Sequence, residues 1–189
     1  MITIISTTSA SAKAVTKLDK NKYQLLLLFG DYIEPRYYKE YSTHIIGRKT
    51  LGCKGTGGDM ELGKKAMEES LNDVLSLIKG EEVVVVCYSG GGMAGGITTL
   101  VESLLKQNKK VSVITSIPSK IEGPNRLDKS KIIIDDLNSL SADINTIVYD
   151  NVLENAIEKY GKEKITLLQF FKICDEIAYN KILEIIEND

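Results

Sequence analysis

Residues 89–96 (SGGGMAGG) have the types and spacing to hold an anion. They follow the apolar run VVVVC at 83–87 and lead into the amphipathic stretch 97–107. Glycines let backbone N–H groups approach a ligand closely, and a run of them is entropically costly without such a need. A helix start adds unpaired N–H groups and a partial positive charge that suit phosphate. A glycine-rich turn with no ligand is the alternative. Other reactive groups are sparse. His44, the one histidine, has no Ser, Cys or acid at a convincing spacing and reads as structural. Cys53, Cys87 and Cys174 are far apart and form no CxxC pair. They suggest neither a disulfide framework nor a zinc site. A reducing cytoplasm is the simplest setting, and no metal site is expected.

Positioning that loop requires strands and helices. Residues 2–6 read as a strand, the stretch around 12–18 as a helix, and 23–29 (YQLLLLF) as a second, buried strand. Residues 30–56 read as irregular. From 59 to 79 the pattern is helical. Asp59 can cap the first turn, and Leu62, Ala66, Ser70, Val74 and Ile78 share one face. Gly80 is expected to end this helix in a left-handed conformation. The β-branched run 83–87 suits a strand covered on both faces. Then come a loop at 89–96, a helix at 97–107 and a strand at 111–115. A helix at 126–140, a short strand at 146–148 and a helix at 152–160 follow, with Gly161 as a break. The closing helix, 167–186, carries Leu167, Phe171, Cys174, Ala178 and Ile182 on its apolar side. This alternation predicts an α/β fold, a parallel sheet with helices on both faces in a single domain. In such a sheet the loop 89–96 lies at the carboxyl ends of the strands, where ligands bind.

Composition narrows the function. With 43% hydrophobic and 26% charged residues over 189 positions, the chain is an ordinary globular domain and not a disordered or fibrous one. Its 24 basic and 26 acidic residues leave a net charge of −2, which gives no basic excess for nucleic acid. The N-terminus, MITIISTTSASAKAV, lacks the basic start and long apolar core of a signal peptide and no run approaches membrane-spanning length, so neither secretion nor membrane insertion is expected. Tyr32, Tyr37, Tyr38 and Tyr41, beside Arg36 and Lys39, read as a contact surface. Lys109 and Lys110 read as a solvated turn.

Gly90, Gly92 and Gly95 satisfy the dinucleotide fingerprint G-x-G-x-x-G, but the acid expected about 20 residues on falls in VSVIT, which has none. No Gly-Lys-Ser/Thr follows the glycines, so the mononucleotide loop fails as well. A third pattern fits better. The loop Gly90–Gly91–Gly92, then Met93–Ala94–Gly95–Gly96, resembles the GGGTGTG run of the FtsZ/tubulin family. Upstream, IIGRKTLGCKGTGGDMELGKKAMEES at 45–70 resembles that family's glycine turn and following helix start, with Met60 in the usual proline position. Downstream, PSKIEGPNR places Pro118, Glu122, Gly123 and Arg126 in the register of its Pro-Phe-x-Phe-Glu-Gly-x-x-Arg loop. TIVYDNVLENA resembles its Ile-Pro-Asn-Asp-x-Leu-Leu turn less cleanly, and the closing helix resembles its central helix. The order is kept over nearly the whole chain.

The resemblance implies a Rossmann-like, doubly wound parallel sheet that binds GTP or GDP, with Mg2+ as an optional companion. Gly90, Gly91 and Gly92 would then cradle the α- and β-phosphates, with Met93 and Gly95 in the two threonine positions. Gly57 and Gly58 would approach the γ-phosphate. Glu122 would accept from the ribose hydroxyls, and Arg126 would lie near the purine. Phe171 would stack on the base, Asp175 would accept from guanine N1 and N2, and Asn151 or Asp150 would complete the pocket. Each has a plainer reading: Asp175 and Arg126 as solvated charges, Phe171 as core, Glu122–Gly123–Pro124 as a turn.

Three departures shape the expected activity. The family's first phosphate loop is glycine-rich, whereas residues 6–15 here are STTSASAKAV, with Lys13 replacing the usual asparagine. Met93 and Gly95 lack the threonine hydroxyls. The sequence stops at Asp189, short of the acidic loop that the family uses for hydrolysis, and Glu184, Glu187 and Asp189 read as a frayed terminus. No catalytic residue is therefore assigned, and little or no intrinsic GTP hydrolysis is expected. The partners implied are guanine nucleotide and either the chain itself or a full-length FtsZ/tubulin-like protein in a cytoskeletal filament. A nucleotide-free interaction module on the same fold is the alternative. A dinucleotide enzyme is a weaker third.

Overall fold

The computed structural model describes residues 1–30, 35–52 and 54–187, with the side chains of Pro35, Arg36 and Tyr38 also outside the described set. Tyr32, Cys53 and Asp189, named above, lie outside it too. In chain order the elements are β1 (Ile2–Ser6), α1 (Ser9–Val15), β2 (Gln24–Phe29), α2 (Pro35–Glu40), β3 (Ser42–Ile45) and α3 (Arg48–Leu51). They continue with α4 (Met60–Leu77), β4 (Glu82–Cys87), a 3-10 turn (Gly92–Gly96), α5 (Ile97–Lys106) and β5 (Lys110–Ile117). A second 3-10 turn (Lys120–Glu122), α6 (Pro124–Asn138), β6 (Asp143–Val148), α7 (Tyr149–Tyr160), a third such turn (Lys162–Lys164) and α8 (Leu167–Glu187) complete the chain.

Among the described residues the strands form one parallel sheet in the order β3-β2-β1-β4-β5-β6. The expected doubly wound α/β architecture is the one observed. Its order reverses between β1 and β4, where Ser6 pairs with Val86. Loops leaving the two strands diverge there and open a crevice at their carboxyl ends.

The apolar strands alternate between two cores. Leu25, Leu27, Phe29, Val84 and Val86 face α1, α7 and α8. Leu26, Leu28, Val83, Val85 and Cys87 face α4, α5 and α6. Both faces are buried, so these strands carry no polar alternation.

Several sequence expectations need correction. Residues 30–56 are not wholly irregular, since α2, β3 and α3 lie there. Strand β3 is a half-exposed edge strand, STHI, too short and polar to show in a hydrophobicity pattern. Tyr37 is buried and stacks on Phe29 at 5.6 Å, and Tyr41 donates to the Thr16 carbonyl at 3.1 Å. Those two tyrosines hold α2 to the body of the domain and do not form a contact surface. Helix α4 ends in extended backbone at Ile78, and Gly80 has no left-handed φ. Gly80 is small because a Cβ there would stand 2.2 Å from the Met1 carbonyl oxygen. In α8 the core aromatic is Phe170, 1% exposed, while Leu167 is 59% exposed. Lys109 and Lys110 pair with Glu81 at 3.3 Å and Glu82 at 3.8 Å, tying the starts of β5 and β4. Glu184 pairs with Lys181 at 2.8 Å in a helix that remains intact to Glu187.

The Asp59 cap forms as expected: Oδ1 accepts from the N–H groups of Glu61 (2.8 Å) and Leu62 (3.2 Å). Asp59→Ala is expected to cost about 1 kcal/mol. In a domain of this size that lowers the melting temperature by roughly 2–4 °C, read by differential scanning calorimetry.

Candidate functional site

A cavity of about 520 Å³ opens at the crevice between β1 and β4. Among the described residues its walls come from seven places. The loop after β1 and the start of α1 contribute Thr8, Ser9, Ala10 and Lys13. The turn before α4 contributes Thr56 and Gly58, and the loop after β4 contributes Tyr88, Ser89, Gly91, Gly92 and Met93. Ser116 and Pro118 come from β5 and its exit, and Glu122 and Arg126 from the turn and helix that follow. Tyr149 begins α7, and Leu168, Phe171 and Asp175 project from α8.

Identical glycine letters serve different purposes here. Gly90 needs its φ of 89°, and a Cβ would meet the Pro118 ring at 2.7 Å. Gly92 packs on the turn before α4, where a Cβ would stand 2.3 Å from Thr56 Oγ1 and 2.6 Å from the Asp59 carbonyl oxygen. Gly95 is wedged against Met60, its would-be Cβ 2.1 Å from that carbonyl oxygen. Gly91 differs from all three. Its backbone is extended, at φ −96° and ψ 159°, and nothing among the described residues lies within 4 Å of a Cβ there. Neither conformation nor packing demands glycine at 91, and the residue lines the cavity.

The predicted site residues thus divide. Gly58, Gly91, Gly92, Met93, Glu122, Arg126, Phe171 and Asp175 meet at the cavity. Gly57, Gly90, Gly95 and Asn151 are not among its lining residues. Gly57 supplies a left-handed turn residue at φ 57°, and Gly90 and Gly95 are packing glycines. Asn151 is exposed in the first turn of α7. Its neighbour Asp150 accepts from Ser119 Oγ at 2.6 Å and the Lys120 N–H at 3.0 Å, which holds its carboxyl below the usual range. The alternative reading of Phe171 as plain core is met instead by Phe170, one residue earlier.

Met93 lines the wall while its thioether turns toward Gly30, where a Cβ would stand 2.4 Å from Sδ. The glycine-less first loop is organised by its own side chains. Thr8 Oγ1 accepts from the Ser11 N–H at 3.2 Å, and Ser11 Oγ accepts from the Thr8 N–H at 3.3 Å. Glu122 accepts from Arg126 and from the Ser119 N–H at 3.1 Å. Behind the loop after β4, Ser89 donates to the Ser116 carbonyl, with Ser130 Oγ 2.7 Å from Ser89 Oγ.

Sequence reasoning missed the aromatic floor. Tyr88 and Tyr149 pack edge-on at 6.1 Å, and Tyr149 packs on Phe171 at 6.4 Å. The signal available was position, because Tyr88 and Tyr149 each follow directly on the carboxyl end of a strand. Tyr88 donates to Asp175 Oδ1 at 3.0 Å. Burial pushes the Asp175 carboxyl up, opposed by that bond and by the charges of Lys13 and Lys17. Burial also pushes the Cys174 and Cys87 thiols up to about 12, so neither is a nucleophile at neutral pH. Among the described residues no group of three or more His, Cys, Asp or Glu stands close enough to hold a metal. No helix there is long and apolar enough to cross a membrane.

The chain is 28% identical over 145 residues to the cell division protein FtsZ of Methanothermobacter thermautotrophicus, covering 76% of this chain and 36% of that protein. It is 26% identical over 151 residues to FtsZ 1 of Pyrococcus abyssi, covering 79% of this chain and 39% of that one. It therefore spans less than half the length of these relatives. Among solved structures, the empty FtsZ dimer of M. jannaschii superposes with a TM-score of 0.82 at 20% identity, over 96% of this chain and 52% of that one. The GDP-bound CetZ1 monomer of Haloferax volcanii gives 0.79 at 17% identity, over 95% and 58%. The model of the GTPase domain of the tubulin/FtsZ family matches residues 10–158. The chain belongs to the tubulin/FtsZ family, and the matched region is its GTPase domain.

Proposed function

We propose that this domain binds GTP or GDP in the cavity at the β1/β4 crevice. It acts by associating with itself or with a longer FtsZ/tubulin-like protein, and on its own hydrolyses GTP weakly or not at all. The observation that carries this reading is Gly91: a glycine that neither its backbone nor any described neighbour requires stands bare at the wall of a cavity large enough for a nucleotide. Asp175, Glu122 and the half-buried ring of Phe171 share the same cavity. They supply acceptors for base and ribose and a surface for stacking. Weak hydrolysis follows from the lining. Among the described residues it holds no histidine, and its two carboxylates there are, in this reading, taken by the ribose and the base. None is free to orient an attacking water.

One observation favours the nucleotide-free module. The Thr8–Ser11 capping box satisfies helix α1 internally, and Thr8, Ser9 and Ala10 bring side chains where bare backbone would suit phosphate. Calorimetric titration of nucleotide-stripped protein with GTP, GDP and ATP, each with magnesium, separates the two. Selective guanine binding is the expected result. Absence of heat from a protein shown to be folded would leave the interaction module.

A further inference from the structure

Tyr88 directly follows β4, and its hydroxyl donates to Asp175 Oδ1 at 3.0 Å. Asp175 is only 9% exposed, and this is the one hydrogen bond recorded to its carboxylate among the described residues. Oδ2 and the second lone pair of Oδ1 are left for a ligand. The ring of Tyr88 is set edge-on against Tyr149, which fixes the direction of its hydroxyl.

A carboxyl group reads a different base edge in each protonation state. Ionised, it offers only acceptors, which match the N1–H and N2–H donors of guanine. Protonated, it offers one donor and one acceptor, which match N1 and the N6 amino group of adenine. Burial favours the neutral form, and a hydrogen bond donated to the carboxylate favours the ionised one. The choice of base therefore depends on what holds the Asp175 proton off.

We propose that Tyr88 is the residue that sets base selectivity, by donating to Asp175 Oδ1 and so keeping that carboxylate an acceptor-only edge. The proposal rests on the nucleotide-binding reading above. The other groups facing Asp175 do this less directly. Lys13 and Lys17 of α1 favour ionisation through space, and Lys17 is already paired with Glu176 at 2.6 Å. Glu176, on α8 itself, opposes it. Tyr149 of α7 and Cys174 of α8 remain neutral because burial raises both. Glu122, acting on Tyr149 and Cys174 from the turn before α6, is neutralised by Arg126. Tyr88 itself stays protonated, because burial raises its phenol far above neutral pH.

The test is the ratio of GDP to ADP affinity across pH, measured by calorimetry on the whole chain and on Tyr88→Phe. The variant keeps the ring and loses only the donor. Its guanine preference is expected to fall about ten-fold at neutral pH, the scale of one lost hydrogen bond to a charged group. The sign follows from linkage: without Tyr88 the Asp175 carboxyl protonates at higher pH, so guanine preference is lost at higher pH than in the parent and returns on alkalinisation. Adding Asp175→Asn to Tyr88→Phe is expected to make the ratio independent of pH. Tyr88→Met, which also lacks the donor, serves if the phenylalanine variant does not fold. Nucleotide binding with an unchanged ratio overturns the role of Tyr88 and leaves the nucleotide reading intact. A lowered ratio with no pH dependence also overturns it, since Tyr88 would then act through shape. No binding of either nucleotide by any of the folded proteins overturns both.

Discussion

Gly92→Ala and Gly63→Ala are each expected to weaken the fold severely. A Cβ on Gly63 would stand 2.0 Å from the Gly92 carbonyl oxygen. One on Gly92 would stand 2.7 Å from the Asp59 nitrogen, besides its clashes with Thr56 and the Asp59 carbonyl. These are backbone atoms on both sides, so no rotamer change relieves the contact. The 3-10 turn and the start of α4 must separate, and that separation opens the core beneath them, where Ala94, Ile97 and Met67 are fully buried. A cost of about 3 kcal/mol or more is expected, at the upper end of overpacking effects. That is a large share of the roughly 5–15 kcal/mol that holds an ordinary domain together. Urea denaturation reads it directly. A midpoint for Gly63→Ala equal to that of the parent would mean that the packing of α4 against the glycine run is looser than described.

That contact explains part of what the sequence could and could not show. Strands β1, β2, β4 and β5 were legible because each is a short apolar run between polar turns. Helix α4 was legible from its period and its Asp59 cap. Strand β3 was not, since an edge strand with one paired side needs no apolar run. Phe170 and Phe171 are adjacent letters about 100° apart around a helix, and a pattern of period 3.6 can start on either. Only the fold decides that Phe170 enters the core and Phe171 the cavity wall. The glycines of 90–96 look alike as letters, yet Gly90 answers to a positive φ, Gly92, Gly95 and Gly96 to packing, and Gly91 to neither. The motif singled out a loop that lines the cavity, and its glycines answer to different physical demands. Tyr88 escaped notice because its meaning depends on Asp175, 87 residues away in sequence and 3.0 Å away in space.

Gly91→Val is expected to do the opposite of Gly92→Ala, keeping the fold and removing the ligand. The backbone at 91 is extended, a conformation that β-branched residues favour, and the position beside its Cα is open. The melting temperature is therefore expected to stay within about 2 °C of the parent, since no stabilising contact is lost. The branched side chain enters the cavity that Gly91 lines. A phosphate oxygen must come within about 3 Å of a backbone N–H to be held by it, and the added methyl groups occupy that approach. Loss of one or two charge-assisted bonds, each worth roughly 1.5–3 kcal/mol, weakens nucleotide binding about a hundred-fold. Melting and calorimetric titration of the same preparation read both quantities. A folded Gly91→Val protein that still binds GDP with the parent's affinity would place the phosphates elsewhere than at Gly91. The nucleotide-free module makes a different forecast for the same variant: stability unchanged, no nucleotide heat before or after, and altered association only if 91 lies in the contact. The contrast between positions 91 and 92, neighbours in one glycine run, separates a residue kept small for a ligand from one kept small for the fold.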